Sequence, residues 1–384
     1  MMEKANILIS PIRPLPYYNI QGKADEKRLA SALRSEFVPK IKRLLPGHHL
    51  GAFRHDTIVN FIRQYKAKFP CFIRTDISRF YPSIRHRDLI VGCQVAYQDL
   101  LGMDYVPKSF KKKYVWAINL WCRSLPLPKG IPLGSSLSAI LAPLMLIPLW
   151  LEIKRRYRLP LLVFMDDILV CTHSEQQSSE IYAFIVEYLY KNYDLEVNIG
   201  KTVSGRFATD SVIFCGWRFA GGYAGISEQK VQEFKERITG FVRTRRKTET
   251  HSFFKLLNRK IDGFGHYYKY GDVKGQFRKL DMFIREQVRY HLEYTAEKKL
   301  YSRLSLKKAG LHSLEEMTVA DKNPKRGNIM QPKKDMAANK VNSMQGTENN
   351  QLFQLLDKIN TQLIQMVALQ RKQLKLINEI MTGY

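Results

Sequence analysis

The sequence predicts an α+β fold that hands over to an all-helical region and then, past a polar tract, to one amphipathic helix. Three observations predict it. Residues 71–220 alternate short apolar runs of strand character with helical patterns. From Ser227 onward apolar residues recur every three or four positions. Between 318 and 350 large apolar residues become scarce, and periodicity returns from 351.

Taken in order, ADEKRLASALRSEFVPKIKRLL in the first seventy residues has apolar positions at helical spacing with charges between them. PCFIRTDI reads as a strand, and LSAILAPLMLIPLWL as a core helix interrupted at Pro143 and Pro148. LLVFMDDILVCT reads as two strands joined by a tight turn. SEQQSSEIYAFIVEYLYKNY is a helix with Ser174 as its N-cap, and SVIFCGWRFA is a further strand pair. GGYAG, at 221–225, marks a boundary near 222–226. ISEQKVQEFKERITGFVRT then repeats Val231, Phe234, Ile238 and Phe241 on one helical face, behind a Ser227 cap. In the last segment Leu352, Leu356, Ile359, Leu363 and Met366 step by four and three, as in a coiled coil. That stripe predicts self-association into a homo-oligomer or docking on a partner protein; packing back on its own chain is the alternative.

The formal charge is +27, from 62 Lys and Arg against 35 Asp and Glu. Such an excess repels itself and points to a polyanionic partner, nucleic acid before an acidic membrane surface. The longest apolar run, Leu137–Leu151, is too short to span a bilayer. No signal peptide is legible at the N-terminus, so a cytoplasmic protein without a membrane partner is expected. The five cysteines, Cys71, Cys93, Cys122, Cys171 and Cys215, form no C-x-x-C pair and sit in apolar settings, as buried thiols in a reducing compartment do.

The chemistry begins with Asp166 and Asp167, two acids inside the apolar run LPLLVFMDDILVCTH. Charges so placed are costly unless a cation meets them. Asp76 ends another apolar strand, in FIRTDISRFYPSI. If the strand ends lie side by side, Asp76 and Asp166 can share two Mg²⁺ ions roughly 4 Å apart. One would activate an attacking 3′-hydroxyl and the other would steady a leaving pyrophosphate. Mg²⁺ suits a site of few carboxylates plus phosphate oxygens, with Mn²⁺ as the alternative ion. The Ile77 carbonyl can complete a coordination sphere, and Asp167 can stand behind the ligands.

DISRFYPSI, GIPLGSSLS, FMDD, NIGKT and FCGWRF, in that order, resemble the palm motifs of reverse transcriptases. The likeness is to prokaryotic enzymes of the group II intron, retron and defence-associated types, and it covers about residues 10 to 300. It implies a right-hand polymerase: fingers in 1–70, palm with finger insertions in 71–222, α-helical thumb in 223–317, linker in 318–350, and the coiled-coil-like helix in 351–384. IDGFGHYYKYGDVKGQFRKLDMFIREQVRYHL is similar to group II-type thumbs. The resemblance makes Asp76, Asp166 and Asp167 the catalytic carboxylates. Tyr81 matches the bulky residue under the sugar that excludes a 2′-hydroxyl. Gly130, Pro132 and Gly134 match the turn beside template and nucleotide. Lys201 matches a lysine that approaches pyrophosphate, and Phe214, Cys215, Gly216 and Trp217 match the primer grip. Phe164 stands where tyrosine is usual. Leu133 stands where many relatives have glutamine, which removes a polar contact to nucleotide and template.

Basic runs at Lys111, Lys112 and Lys113, at 154–157, and at Arg243, Arg245 and Arg246 are expected along the duplex track. Arg13, Lys23, Lys27 and Arg28 fall where fingers would meet the triphosphate. Asp25 and Glu26 read as favourable acids in a first helical turn. The alternative has Glu26 facing the nucleotide and accepting from the exocyclic amine of cytosine or adenine, which would bias base choice. The expected activity is RNA-directed DNA synthesis from dNTPs on an RNA template or a dedicated non-coding RNA, with antiviral defence as the biological setting. Untemplated or short-repeat DNA synthesis, and a maturase-like RNA-binding scaffold without polymerase activity, are the alternatives. No His-Asn-His nuclease motif is legible after 300.

Overall fold

The computed structural model describes residues 7–9, 14–16, 20–49, 56–103, 105, 108, 112, 115, 129–132, 134–245, 248–294 and 302–319. The expected linker beyond 319 and the helix at 351–384 lie outside the described residues, as do Arg13, Lys111, Lys113, Cys122, Leu133 and Arg246.

The central sheet is built where the apolar strands were expected. Strand β1 (Ile7–Ile9) pairs antiparallel with β2 (Pro14–Pro16). Helix α1 (Ile20–Leu44) then leads to the short β3 (His48–His49) and α2 (Thr57–Tyr65). Strand β4 (Cys71–Asp76) is followed by the one-turn α3 (Phe80–Ser83) and by α4 (His86–Leu101). The broken apolar helix appears as α5 (Ser138–Met145) and α6 (Ile147–Tyr157), parted at Leu146 with Pro148 in the first turn of α6. Hairpin β5 (Leu161–Phe164) and β6 (Asp167–Thr172) is followed by α7 (Glu175–Tyr193) and β7 (Val203–Arg206). The Ser174 hydroxyl caps α7 by accepting from the Gln177 N–H. Strand order is β3-β5-β6-β4-β7, all antiparallel except β3 with β5.

One face of this sheet packs on α7 and another set of contacts runs through α4, α5 and α6 to a continuous apolar core. Trp150, Phe37 and Phe72 are among the largest wholly buried side chains in it. Gly92 of α4 permits the closest approach: a Cβ there would lie 2.9 Å from the Met145 carbonyl oxygen.

A second sheet is the meander β8 (Ser211–Phe214), β9 (Trp217–Ala220) and β10 (Tyr223–Ile226). The glycine-rich stretch expected as a boundary is thus largely a strand. The Asp272 carboxylate accepts from the Ala224 N–H, and the Gln276 side chain bonds both the N–H and the carbonyl of Ile226. These partners come from the helical region α8 (Glu228–Thr244), α9 (Thr250–Tyr268), α10 (Lys274–Tyr294) and α11 (Arg303–Lys308). Two cations at the end of α2 reach the same place. Arg63 bonds the Asp272 carboxylate at 3.0 Å and the Tyr270 carbonyl at 3.3 Å. Just past α2, Lys66 donates to the Gly222 carbonyl.

The segment 311–319 straps across α9 and α10. Buried Asp281 of α10 anchors it, accepting from the Ser313 hydroxyl and from the N–H groups of Leu314 and Glu315. Replacing Asp281 by Ala strands those donors in a low-dielectric setting, where each unmade bond costs about 1–3 kcal/mol. We expect Asp281→Ala to lose about 3 kcal/mol in chemical denaturation, and Asp281→Asn less.

Cys71, Cys93 and Cys171 are buried free thiols and Cys215 is half-buried. Among the described residues no helix is long and apolar enough to cross a membrane.

Candidate active site

The site assembles at the tips of three neighbouring strands. In the antiparallel register of β4 with β6, Asp76 stands directly opposite Asp167. Asp166 occupies the two-residue turn between β5 and β6, beside Met165, whose φ of 57° is left-handed. A methionine in that region is strained, and it persists because both flanking strands are buried and paired.

Each acid meets a different environment. The Asp76 side chain is 9% exposed, and its Oδ2 accepts from Lys201 Nζ at 2.7 Å. Asp167 Oδ1 accepts from Arg74 Nε at 2.8 Å. Burial raises the Asp167 carboxyl above the usual range, against the lowering pull of Arg74. Asp166 has neither cation. Burial first, then the neighbouring charge of Asp76, pushes its carboxyl up to about 6.

Arg74 is the residue that strand patterning overlooked. It lies two positions before Asp76, hence on the same face of β4. Its Nη1 also donates to the Lys201 carbonyl at 3.1 Å. A second backbone tie holds the NIGKT segment: the Asn198 N–H donates to the Asp76 carbonyl at 2.6 Å. Thr75 and Thr202 hydroxyls meet at 2.8 Å.

Around this centre the other expected residues divide. Tyr81 is half-buried, and its hydroxyl donates to Met165 Sδ at 3.8 Å. Burial, aided by the Asp166 charge, raises the phenol to about 12, so it stays neutral. The Gly130 turn docks on α3 through backbone bonds, the Ile131 N–H to the Tyr81 carbonyl and the Gly130 N–H to the Ile84 carbonyl. Gly130 and Gly134 have φ of 94° and 82°, which only glycine adopts cheaply. The Phe214–Trp217 hairpin turns at Cys215 and Gly216, both left-handed, and burial first, then the charge of Asp167, pushes the Cys215 thiol up.

Glu26 is buried, and its Oε1 accepts from the Ser135 hydroxyl at 2.6 Å and from the Leu137 N–H at 3.2 Å. Helix α1 begins at Ile20, so Asp25 and Glu26 fall beyond its first turn, contrary to expectation. The reason is that the chain becomes helical several residues before the charged pattern starts. Glu26 serves the start of α5 instead of its own helix. Lys27 and Arg28 are exposed on α1, Lys23 belongs to the same helix, and Lys112 is exposed. Arg243 lies in the last turn of α8 and Arg245 follows the helix, both exposed and far along the chain from the carboxylates.

Divalent metal fits the paired carboxylates. Asp76 and Asp166 are hard oxygen donors, and the raised Asp166 carboxyl marks negative charge that a cation would relieve. Among the described residues no group of three His, Cys, Asp or Glu is arranged to hold a metal ion. Asp167, the third nearby acid, is engaged by Arg74.

Residues 2–219 match the family described as reverse transcriptase (RNA-dependent DNA polymerase), which spans more than half of the sequence, and the chain belongs to that family. Its polymerase fold is the α+β right-hand type, with the helical thumb following the meander. Residues 231–310 match the group II intron, maturase-specific domain. No curated protein matches the chain. Among solved structures it is similar to apo telomerase from Candida tropicalis, at 13% identity over 80% of this chain and 59% of that one, TM-score 0.44. Telomerase from Candida albicans bound to a TWJ fragment of telomeric RNA is 13% identical over 75% and 51%, TM-score 0.37. Candida tropicalis telomerase lacking its C-terminal domain is 15% identical over 56% and 52%, TM-score 0.39. The chain spans little more than half the length of these telomerase chains.

Proposed function

We propose that the chain is an RNA-directed DNA polymerase that extends a primer 3′-end with dNTPs. The observation that carries this is the Asp76–Asp167 register with Asp166 at the adjoining tip, its carboxyl raised to about 6. Asp76 and Asp166, with the Ile77 carbonyl, would hold two Mg²⁺ ions, which supply activation of the 3′-hydroxyl and charge relief on the departing pyrophosphate. The primer 3′-oxygen forms the new bond to the α-phosphorus as the bond to pyrophosphate breaks.

The chain's own groups orient these partners. The Tyr81 ring lies beneath the sugar and excludes a 2′-hydroxyl. The Gly130–Gly134 turn lets backbone approach nucleotide and template. The Phe214–Trp217 hairpin holds the primer end. Arg28 and Lys23 of α1 meet the triphosphate, and Lys112, Arg243 and Arg245 neutralise nucleic-acid phosphates. The template is an RNA, in the finer reading a dedicated non-coding RNA, and antiviral defence is the setting. The amphipathic stretch at 351–384 joins copies of the chain or a partner protein, on the strength of its apolar periodicity.

The test is primer extension by the purified chain with Mg²⁺ and dNTPs, with and without added RNA, followed by sequencing of the product. Faithful copies of the supplied RNA are expected. RNA binding with no incorporation on any primer would reject the reading in favour of a maturase-like scaffold. A second reading, untemplated or short-repeat synthesis, is motivated by Leu133, which stands where many relatives carry a glutamine that contacts nucleotide and template. Repeats made without RNA would establish it. In the same assay Tyr81→Val should raise rNTP use relative to dNTP by about 10–100-fold, read from competing substrates.

A further inference from the structure

The two cations of the site are held in unlike ways. Arg74 is an anchored fork. Its side chain is 20% exposed, it holds Asp167, and it grips the Lys201 carbonyl from behind. Lys201 has a backbone pinned to β4 by Arg74 and by the Asn198–Asp76 and Thr202–Thr75 bonds, yet its side chain is 58% exposed. Its ammonium rests on Asp76 Oδ2, on a flexible four-carbon stem reaching in from the solvent side. Three carboxylates against two cations leave one negative charge. Turning Lys201 away leaves two, the charge of one divalent ion.

We propose that Lys201 is a placeholder cation: in the metal-free protein its ammonium occupies the metal-facing oxygen of Asp76, and it leaves that oxygen when a divalent ion binds. Arg74 stays in place throughout. This rests on the polymerase reading only for its consequence, that the released ammonium turns toward the arriving triphosphate. A strongly hydrated point charge suits such an exchange, whereas the planar fork of arginine suits a permanent tie. The pinned backbone confines the movement to the side chain, so the exchange leaves the strand register unchanged.

The experiment is Mn²⁺ titration of the full chain by electron paramagnetic resonance, without nucleotide or nucleic acid. With the competing ammonium removed, Lys201→Met should bind Mn²⁺ about three- to tenfold more tightly than wild type. Lys201→Arg, whose planar fork ties Asp76 more firmly, should bind Mn²⁺ no more tightly than wild type. Asp166→Asn should lose the signal. Lys201 is largely solvent-facing, so neither substitution threatens folding. Mn²⁺ affinity equal to or weaker than wild type in Lys201→Met would overturn the proposal, and so would a signal that survives in Asp166→Asn. Incorporation assays decide the polymerase reading separately. A chain that adds no nucleotide but shows the tighter Lys201→Met binding rejects that reading and sustains the exchange.

Discussion

Asp166→Asn should abolish nucleotide incorporation, by about a thousandfold or more, while making the metal-free protein more stable. The two effects share one cause. Asp166 is half-buried beside Asp76 without a cation of its own, and its carboxyl is raised to about 6. A carboxyl whose folded value lies above its unfolded one contributes stability below the unfolded value, near pH 4. That contribution is lost as pH rises through 6, because the folded state then gives up a proton it held more tightly. Above pH 6 the charged form is carried at a cost on the order of 2–3 kcal/mol. Asparagine removes that charge and keeps the shape. Thermal unfolding at pH 7.5 without divalent ions should therefore shift up by about 5 °C, and the gap from wild type should close near pH 4. Added Mg²⁺ should raise the wild-type midpoint and leave the variant unmoved. Wild-type rates of incorporation by Asp166→Asn would reject these carboxylates as the catalytic centre. At limiting Mg²⁺ the wild-type rate should climb as pH passes through 6.

Trp217→Ala should destabilise the chain by about 3–5 kcal/mol, the largest loss expected from one side chain. Trp217 is wholly buried, and its ring lies 5.0 Å from Tyr268, 6.1 Å from Tyr267 and 6.5 Å from Phe219. It joins β9 to α9, so its removal opens the seam between the hairpin and the helices. Gly271 is shaped to it: a Cβ there would lie 2.3 Å from the indole and 2.6 Å from the Ala224 carbonyl oxygen. The check is urea denaturation, with Trp217→Phe expected to recover about half of the loss. A primer-extension assay below the unfolding temperature should show shorter products from Trp217→Phe than from wild type. Near-wild-type denaturation of Trp217→Ala would show that the seam is held by the Asp272 and Gln276 bonds alone.

Much of the centre was legible in the sequence because its signal is local. Asp166 and Asp167 interrupt an apolar hairpin, and Asp76 ends an apolar strand. Apolar alternation specifies which strand faces are buried, and burial leaves little freedom in register. Arg74 was not legible as a partner, since one cation in a strand has no period. Its signal was positional: two residues from Asp76 in an otherwise apolar run, it had to reach an acid. The strand β10 was masked by its glycines. They read as breakers, yet the strand forms because Ala224 and Ile226 turn inward and α10, with the turn before it, supplies partners for their backbone. Glu26 was misread because α1 starts at Ile20, well before the acidic residues, and exact helix starts are poorly fixed by sequence pattern. Its true partner, Ser135, lies 109 positions away, beyond the reach of local patterning.

The bonds from Arg63 to Asp272 and Tyr270, and from Lys66 to Gly222, cross more than 150 positions of sequence to fasten the root of the helical bundle to the flank of α2. That root is therefore a fixed abutment and not a pivot. On the polymerase function proposed above, the spacing near the carboxylates would be set at this root, and any adjustment to the width of a duplex would fall to the far ends of the helices.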